Sequence, residues 1–358
     1  MKEKEKQLFK ALCKFKSRFS DPTLLEFATP AVLGHLFFNR MQGVAYDVLK
    51  KNGFLGRVNR EFRNSLGAAY DQNCRKNESF QKCIGMLSEL LATAHCKAAM
   101  LKGAYLCAHY PNGYRTSNDA DLLVHPKDVT AIGNLLSSAG FRQGNLRNGE
   151  FVPATRQEII ESKMLRGETV PYIKEVKLPF LRFFEVDINF SLDYKNGNED
   201  LLSDMLSNAC IRTENGQSIL TLDDADFFIH LCAHLYKEAT TLPWIEMHRD
   251  MTLYKYCDIY LLLSEMTEAQ LQKVFARATE LGLEKVCAYA ILETMGLFDM
   301  NAPLAYGISS TVLDNDPCFL LRVVSPKDKK VLMYQTADVT ERFFMDSRVD
   351  DLREVDKK

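Results

Sequence analysis

The chain has 358 residues, 46% hydrophobic and 26% charged, with a formal net charge of −2. That length suits about two domains with a sizeable core, and the near-neutral balance argues against a dedicated nucleic-acid binder, which carries a basic excess. The start Met1-Lys2-Glu3-Lys4-Glu5-Lys6 is charged, no signal peptide or membrane span is visible, and a cytoplasmic protein is expected. The ten cysteines include no Cys-x-x-Cys pair, so they read as buried free thiols of a reducing compartment rather than as a zinc ribbon.

Residues 1–95 read as a helical segment. Leu24, Leu25, Phe27, Val32, Leu33, Leu36 and Met41 recur at helical spacing, and Ile84, Leu87, Leu90 and Leu91 repeat the pattern between Phe80 and Ala94. The texture changes over 96–195. Ala98-Ala99-Met100-Leu101 suits a buried strand stopping at the Lys102-Gly103 turn, Ala104 to Tyr110 a short helix, and Pro111-Asn112-Gly113 a turn. Asp119 to Val124 reads as a strand. A helix carrying Val129, Ile132, Leu135 and Leu136 follows, with Gly140 as its cap. Thr155 to Arg166 reads as a helix, and Val170 to Val176 and Phe180 to Leu192 as strands. Residues 196–300 form a helical domain, with Asp223 or Asp224 as an N-cap and further helices over Arg249 to Leu263, Glu268 to Leu281 and Glu284 to Met295. Residues 301–358 are mixed, and the charge-rich end from Asp346 is expected to fray.

The chemistry lies in two strands. In Asp119-Ala120-Asp121-Leu122-Leu123-Val124, alternation sends Asp119 and Asp121 to one face. In Phe184-Glu185-Val186-Asp187-Ile188-Asn189-Phe190, it separates an apolar face from one bearing Glu185, Asp187 and Asn189. Carboxylates that close repel unless a cation lies between them, and Mg²⁺ favours such oxygen ligands beside substrate phosphates. An isolated Asp-x-Asp more often marks a solvated turn; the second acidic strand and the Lys102-Gly103 turn argue against that here. The polar lead-in Arg115-Thr116-Ser117-Asn118 disfavours haloacid-dehalogenase phosphatases and nucleotide-sugar glycosyltransferases, whose Asp-x-Asp follows an apolar strand. Leu123-Val124 breaks a calcium loop.

The run Leu101-Lys102-Gly103-Ala104, Arg115, Asp119-Ala120-Asp121 and Val186-Asp187-Ile188-Asn189 resembles the bacterial family of uncharacterised nucleotidyltransferases, within the DNA-polymerase-beta-like superfamily. The likeness covers about 20–265, with specific motifs over about 100 residues. It implies an α+β fold: a polymerase-beta-like nucleotidyltransferase core with a small mixed sheet, flanked by N- and C-terminal helical segments. It also implies transfer of an NMP from an NTP, such as ATP, to a hydroxyl or phosphate acceptor. Asp119, Asp121 and Asp187 would hold two Mg²⁺ or Mn²⁺ ions, with Asp187 as general base; Lys102, Gly103 and Arg115 would meet the nucleotide's phosphates. The chain departs from the superfamily pattern in placing Ala104 where a serine usually follows the glycine, and Asn189 where histidine is frequent.

His230 and His234 share one helical face without forming a His-Glu-x-x-His motif, so zinc is disfavoured. By the resemblance, His234 and Asp258 fall on the substrate side. Trp244 either stacks on a base or covers the core, the second being the more frequent role. Two other readings keep the fold: a non-catalytic nucleotide-binding or regulatory module, and an enzyme whose acceptor is another protein. Neither nucleic acid nor membrane is expected as a partner.

Overall fold

Ala98–Leu101, four buried apolar residues, forms strand β1. Seven more strands join it in one sheet: β2 (Asp119–Val124), β3 (Arg142–Arg147), β4 (Glu150–Pro153), β5 (Tyr172–Leu178), β6 (Leu181–Asn189), β7 (Cys210–Glu214) and β8 (Gln217–Thr221). Their order is β4-β3-β5-β6-β2-β1-β8-β7. The pairs β2/β6 and β1/β8 are parallel and the others antiparallel, so the sheet is mixed. The computed structural model describes residues 1–192 and 199–355; the expected boundary near 195 and the last three residues lie outside them.

A small sheet is the expectation, and eight strands correct it. The additional ones are two short polar hairpins, β3/β4 and β7/β8, whose sequences lack a long apolar alternation. Each turns on Asn-Gly with both residues at positive φ: Asn148 (52°) and Gly149 (77°), Asn215 (49°) and Gly216 (78°). That backbone matches the twist of a two-residue hairpin.

The sheet belongs to one of two compact units, Tyr70–Phe227. Its core is the apolar face of the central strands: Ala120, Leu122, Phe184, Val186 and Ile188 are all buried. The later turns of the 32-residue helix Arg60–Leu91 bring Phe80, Cys83, Ile84 and Leu87 into the same core. The rings of Phe80 and Phe184 meet edge to face at 6.0 Å. Helix Val129–Ser138 is followed by Gly140 at φ +89°, a left-handed position where glycine is free of strain. Helix Arg156–Arg166 begins with a reciprocal cap between Thr155 and Glu158.

The other unit comprises Met1–Ala69 and Phe228–Lys358. It is mainly helical, including Glu3–Cys13, Pro30–Phe38, Gln42–Lys51, Leu253–Glu265, Glu268–Leu281 and Glu284–Phe298. The Asp223 carboxylate accepts the Asp226 amide at 2.8 Å, so it is Asp223 that caps helix Asp224–Ala239. A three-stranded sheet, β9 (Arg322–Ser325), β10 (Lys330–Tyr334) and β11 (Leu352–Glu354), completes this unit. The end expected to fray is therefore ordered through β11, and Arg348 grips Asp250 bidentately at 2.6 and 2.7 Å with both side chains buried. Arg342 and Glu293 form a second buried pair. All ten cysteines are free. Among the described residues, no helix is long and apolar enough to cross a membrane.

Candidate active site

Parallel pairing of β2 with β6 sets Asp119 opposite Glu185, Asp121 opposite Asp187, and Leu123 opposite Asn189. Alternation buries Ala120 and Leu122 beneath, and leaves Asp119, Asp121 and Asp187 half-buried on one face. On the other flank, β1 pairs antiparallel with β2 so that Leu101 faces Asp121. The next residue, Lys102, turns into helix Gly103–His109 at φ +44° and ψ −116°, a conformation uncommon outside glycine. From there its Nζ reaches Asp121 Oδ1 at 3.0 Å.

Gly103 is needed for space. A Cβ at this position would lie 2.9 Å from both Cβ and Oγ of Ser117, in the loop before β2. The Ser117 hydroxyl donates to Asp119 Oδ1 at 2.5 Å. Asn189 Nδ2 approaches Asp121 Oδ1 at 3.4 Å. Arg115 is buried, donates through Nη1 to the Thr116 carbonyl at 2.8 Å, and places its charge near Asp119. The structure thus gathers Lys102, Gly103, Arg115, Asp119, Asp121 and Asp187 at one end of three central strands.

The carboxyls are electrostatically unequal. Burial, then the charges of Asp121, Asp119 and Glu168, push Asp187 well above the ordinary carboxylate range. Burial also acts to raise Asp119, but the Ser117 hydroxyl and the charges of Lys102 and Arg115 outweigh it and hold that carboxyl low. Glu185 is raised by burial and by the charge of Asp119. On one face, then, the Asp119 carboxyl is held low and the Asp187 carboxyl is raised. The hard oxygen donors of Asp119, Asp121 and Asp187 suit Mg²⁺ or Mn²⁺, and the Lys102 ammonium already acts as a cation on Asp121. Among the described residues, no group of three or more His, Cys, Asp or Glu side chains is drawn into metal-holding geometry.

His234 and Asp258 belong to the other unit. His234 Nε2 lies 3.5 Å from Glu238 Oε1, and Asp258 is buried within helix Leu253–Glu265. His230 is buried there too. Trp244 is half-buried, with the Lys255 ammonium 5.8 Å from its ring centroid. Sequence reasoning overlooked Ser117, Glu168 and Thr169. The two-residue offset of Ser117 from Asp119 was a visible signal; Glu168 and Thr169 come near β6 only through a bridge between Glu168 and Asn189.

The geometry defines a mixed-sheet α+β protein with a carboxylate-bearing face beside a lysine–glycine turn. Residues 29–299 match the family described as uncharacterised nucleotidyltransferase, more than half of the chain, and the chain belongs to that family. A solved structure, an antigenic nucleotidyltransferase-like protein from Paracoccidioides brasiliensis, is similar over 58% of this chain and 91% of its own, at 14% identity and a TM-score of 0.35. No curated protein matches this chain.

Proposed function

We propose that the chain transfers an NMP from an NTP, such as ATP, to a hydroxyl or phosphate acceptor on a small molecule or a protein, in the manner of the DNA-polymerase-beta-like superfamily. The observation that carries this reading is the register of β2 and β6, which sets Asp121 against Asp187 with Asp119 on the same face. Asp119, Asp121 and Asp187 are the residues that would hold two Mg²⁺ or Mn²⁺ ions. Such ions, when bound, neutralise the triphosphate and acidify the attacking hydroxyl.

The chain's own groups do the rest. The acceptor oxygen forms a bond to the α-phosphorus as the bond to the pyrophosphate oxygen breaks, and the hydroxyl proton passes to Asp187, which stands across from Asp121 in the register of β2 and β6. Lys102 and Arg115 offer positive charge to the departing pyrophosphate. Gly103 leaves room for Ser117, and the backbone where helix Gly103–His109 begins would offer N–H groups to the phosphates. Ser117 brings beside Gly103 a hydroxyl that Ala104 does not supply. Asp121→Ala is expected to lower Mg²⁺-dependent pyrophosphate release from ATP by at least about 100-fold. Unchanged release would overturn the reading.

One observation favours a second reading, a non-catalytic nucleotide-binding or regulatory module: Lys102 is already paired with Asp121. Under that reading, calorimetry finds tight ATP binding in Mg²⁺ while no acceptor supports turnover. Turnover with any acceptor excludes it.

A further inference from the structure

Lys102 combines two features that a contact with nucleotide phosphate alone does not account for. Its backbone sits at φ +44° and ψ −116°, a strained combination for a residue with a side chain. Such strain persists only where the surrounding structure enforces it, and it collects at functional sites. Its ammonium lies 3.0 Å from Asp121 Oδ1, with the two side chains only 15% and 14% exposed. The pair is therefore largely shielded from water, where charges interact strongly. The same charge acts on Asp119 and on Asp187. One ammonium thus answers the three aspartates that would hold the ions.

That arrangement sets up a conflict on loading. An ammonium and a divalent ion that share one carboxylate oxygen lie within about 5 Å of each other and repel. Phosphate offers the ammonium another anion, and the flexible four-carbon stem of a lysine allows the exchange. We propose that Lys102 is a resident counter-ion: it neutralises Asp121 in the free protein and passes to the phosphates of the nucleotide as divalent ions are taken up. The proposal rests on the nucleotidyl-transfer reading above. Its consequence is a loading rule. Lys102 opposes an ion that arrives alone and assists a nucleotide that arrives with one. Ion and nucleotide therefore strengthen each other's binding, and by linkage the effect is the same in both directions. The Lys102–Asp121 pair then belongs to a working site rather than to a permanently closed one.

Mn²⁺ binding to the full chain without nucleotide, read by electron paramagnetic resonance, tests the first half. Lys102→Met keeps most of the stem and loses the charge. It is expected to bind Mn²⁺ at least about fivefold more tightly than the wild type, the lower end of ordinary coupling between sites. Lys102→Arg keeps the charge and should stay near the wild type. If the methionine variant is less stable, melting still reads the effect: Mn²⁺ should raise its melting temperature more than that of the wild type. The second half is read with α,β-methylene-ATP, which cannot release pyrophosphate. Lys102→Met should weaken its binding at least about fivefold in saturating Mn²⁺, and far less in EDTA. Mn²⁺ binding that is unchanged or weaker in Lys102→Met, or an equal loss of analogue binding with and without Mn²⁺, would overturn the proposal. Tighter Mn²⁺ binding by Lys102→Met, with no pyrophosphate release from ATP by the wild type, would remove the transfer reading and leave the counter-ion standing. Pyrophosphate release that Asp121→Ala abolishes, with Mn²⁺ binding indifferent to Lys102→Met, would do the reverse.

Discussion

Asp187 shares its half-buried face with two other aspartates, and burial with their charges raises its carboxyl well above the ordinary range. The consequence for stability has a definite sign. A raised carboxyl binds its proton more tightly in the folded state, so its stabilising contribution is complete below the unfolded value. That contribution fades as pH rises through the folded value. In EDTA, the wild type should therefore lose stability from about pH 4 upward, the ordinary carboxylate value, until Asp187 is ionised. Asp187→Asn should remove that part of the decline and melt higher than the wild type above this window. Parallel melting profiles for the two proteins would contradict it. Gly103 offers a steric counterpart. Alanine there meets Ser117 at 2.9 Å, and overpacking of this kind is expected to cost about 1–3 kcal/mol. Loop movement would also carry Ser117 off Asp119, so ATP-dependent activity should fall more than the melting temperature alone explains.

At the scale of elements, the turns are as informative as the strands. Gly149 sits at φ +77° with open space around the position of a Cβ. Gly149→Ala should therefore destabilise through backbone strain alone, by about 1–2 kcal/mol, and leave pyrophosphate release unchanged. Differential scanning calorimetry would read it. The central strands were legible because their alternation is strong: Ala98 to Leu101 and Asp119 to Val124 match β1 and β2, and Glu268–Leu281 is found with the expected bounds. The hairpins were not, since Arg142–Arg147 and Cys210–Glu214 are largely polar strands in which burial leaves little pattern. Their Asn-Gly turns were present in the sequence and mark both. That Asp119 and Asp121 share one face of β2, and that Asp187 lies on the polar face of β6, could be anticipated from side-chain alternation. Thr169 could not, because its relation to Asp187 depends on the bridge at Glu168 and Asn189, a contact with no local signature.

At the scale of the molecule, the unit built from both ends of the chain is fastened by buried ion pairs between segments distant in sequence. Arg348 reaches Asp250, and Arg342 reaches Glu293. Arg348→Ala would strand a fully buried Asp250 carboxylate and is expected to cost about 3–5 kcal/mol in chemical denaturation. A loss below about 1 kcal/mol would show that the pair behaves like a surface bridge.

The sheet-bearing unit is an insertion: residues 70–227 interrupt the other unit, and both junctions fall inside continuous helices, Arg60–Leu91 and Asp224–Ala239. Synthesis runs from the N-terminus, and domains generally fold as units. The inserted unit thus leaves the ribosome with every residue it needs, while its host still lacks the larger part of its own. Maturation is expected to be vectorial: the carboxylate-bearing unit can close first, while the first 69 residues, whose helix Glu3–Cys13 packs on Pro30–Phe38 and Gln42–Lys51, complete their core only once Phe228 onward has been made.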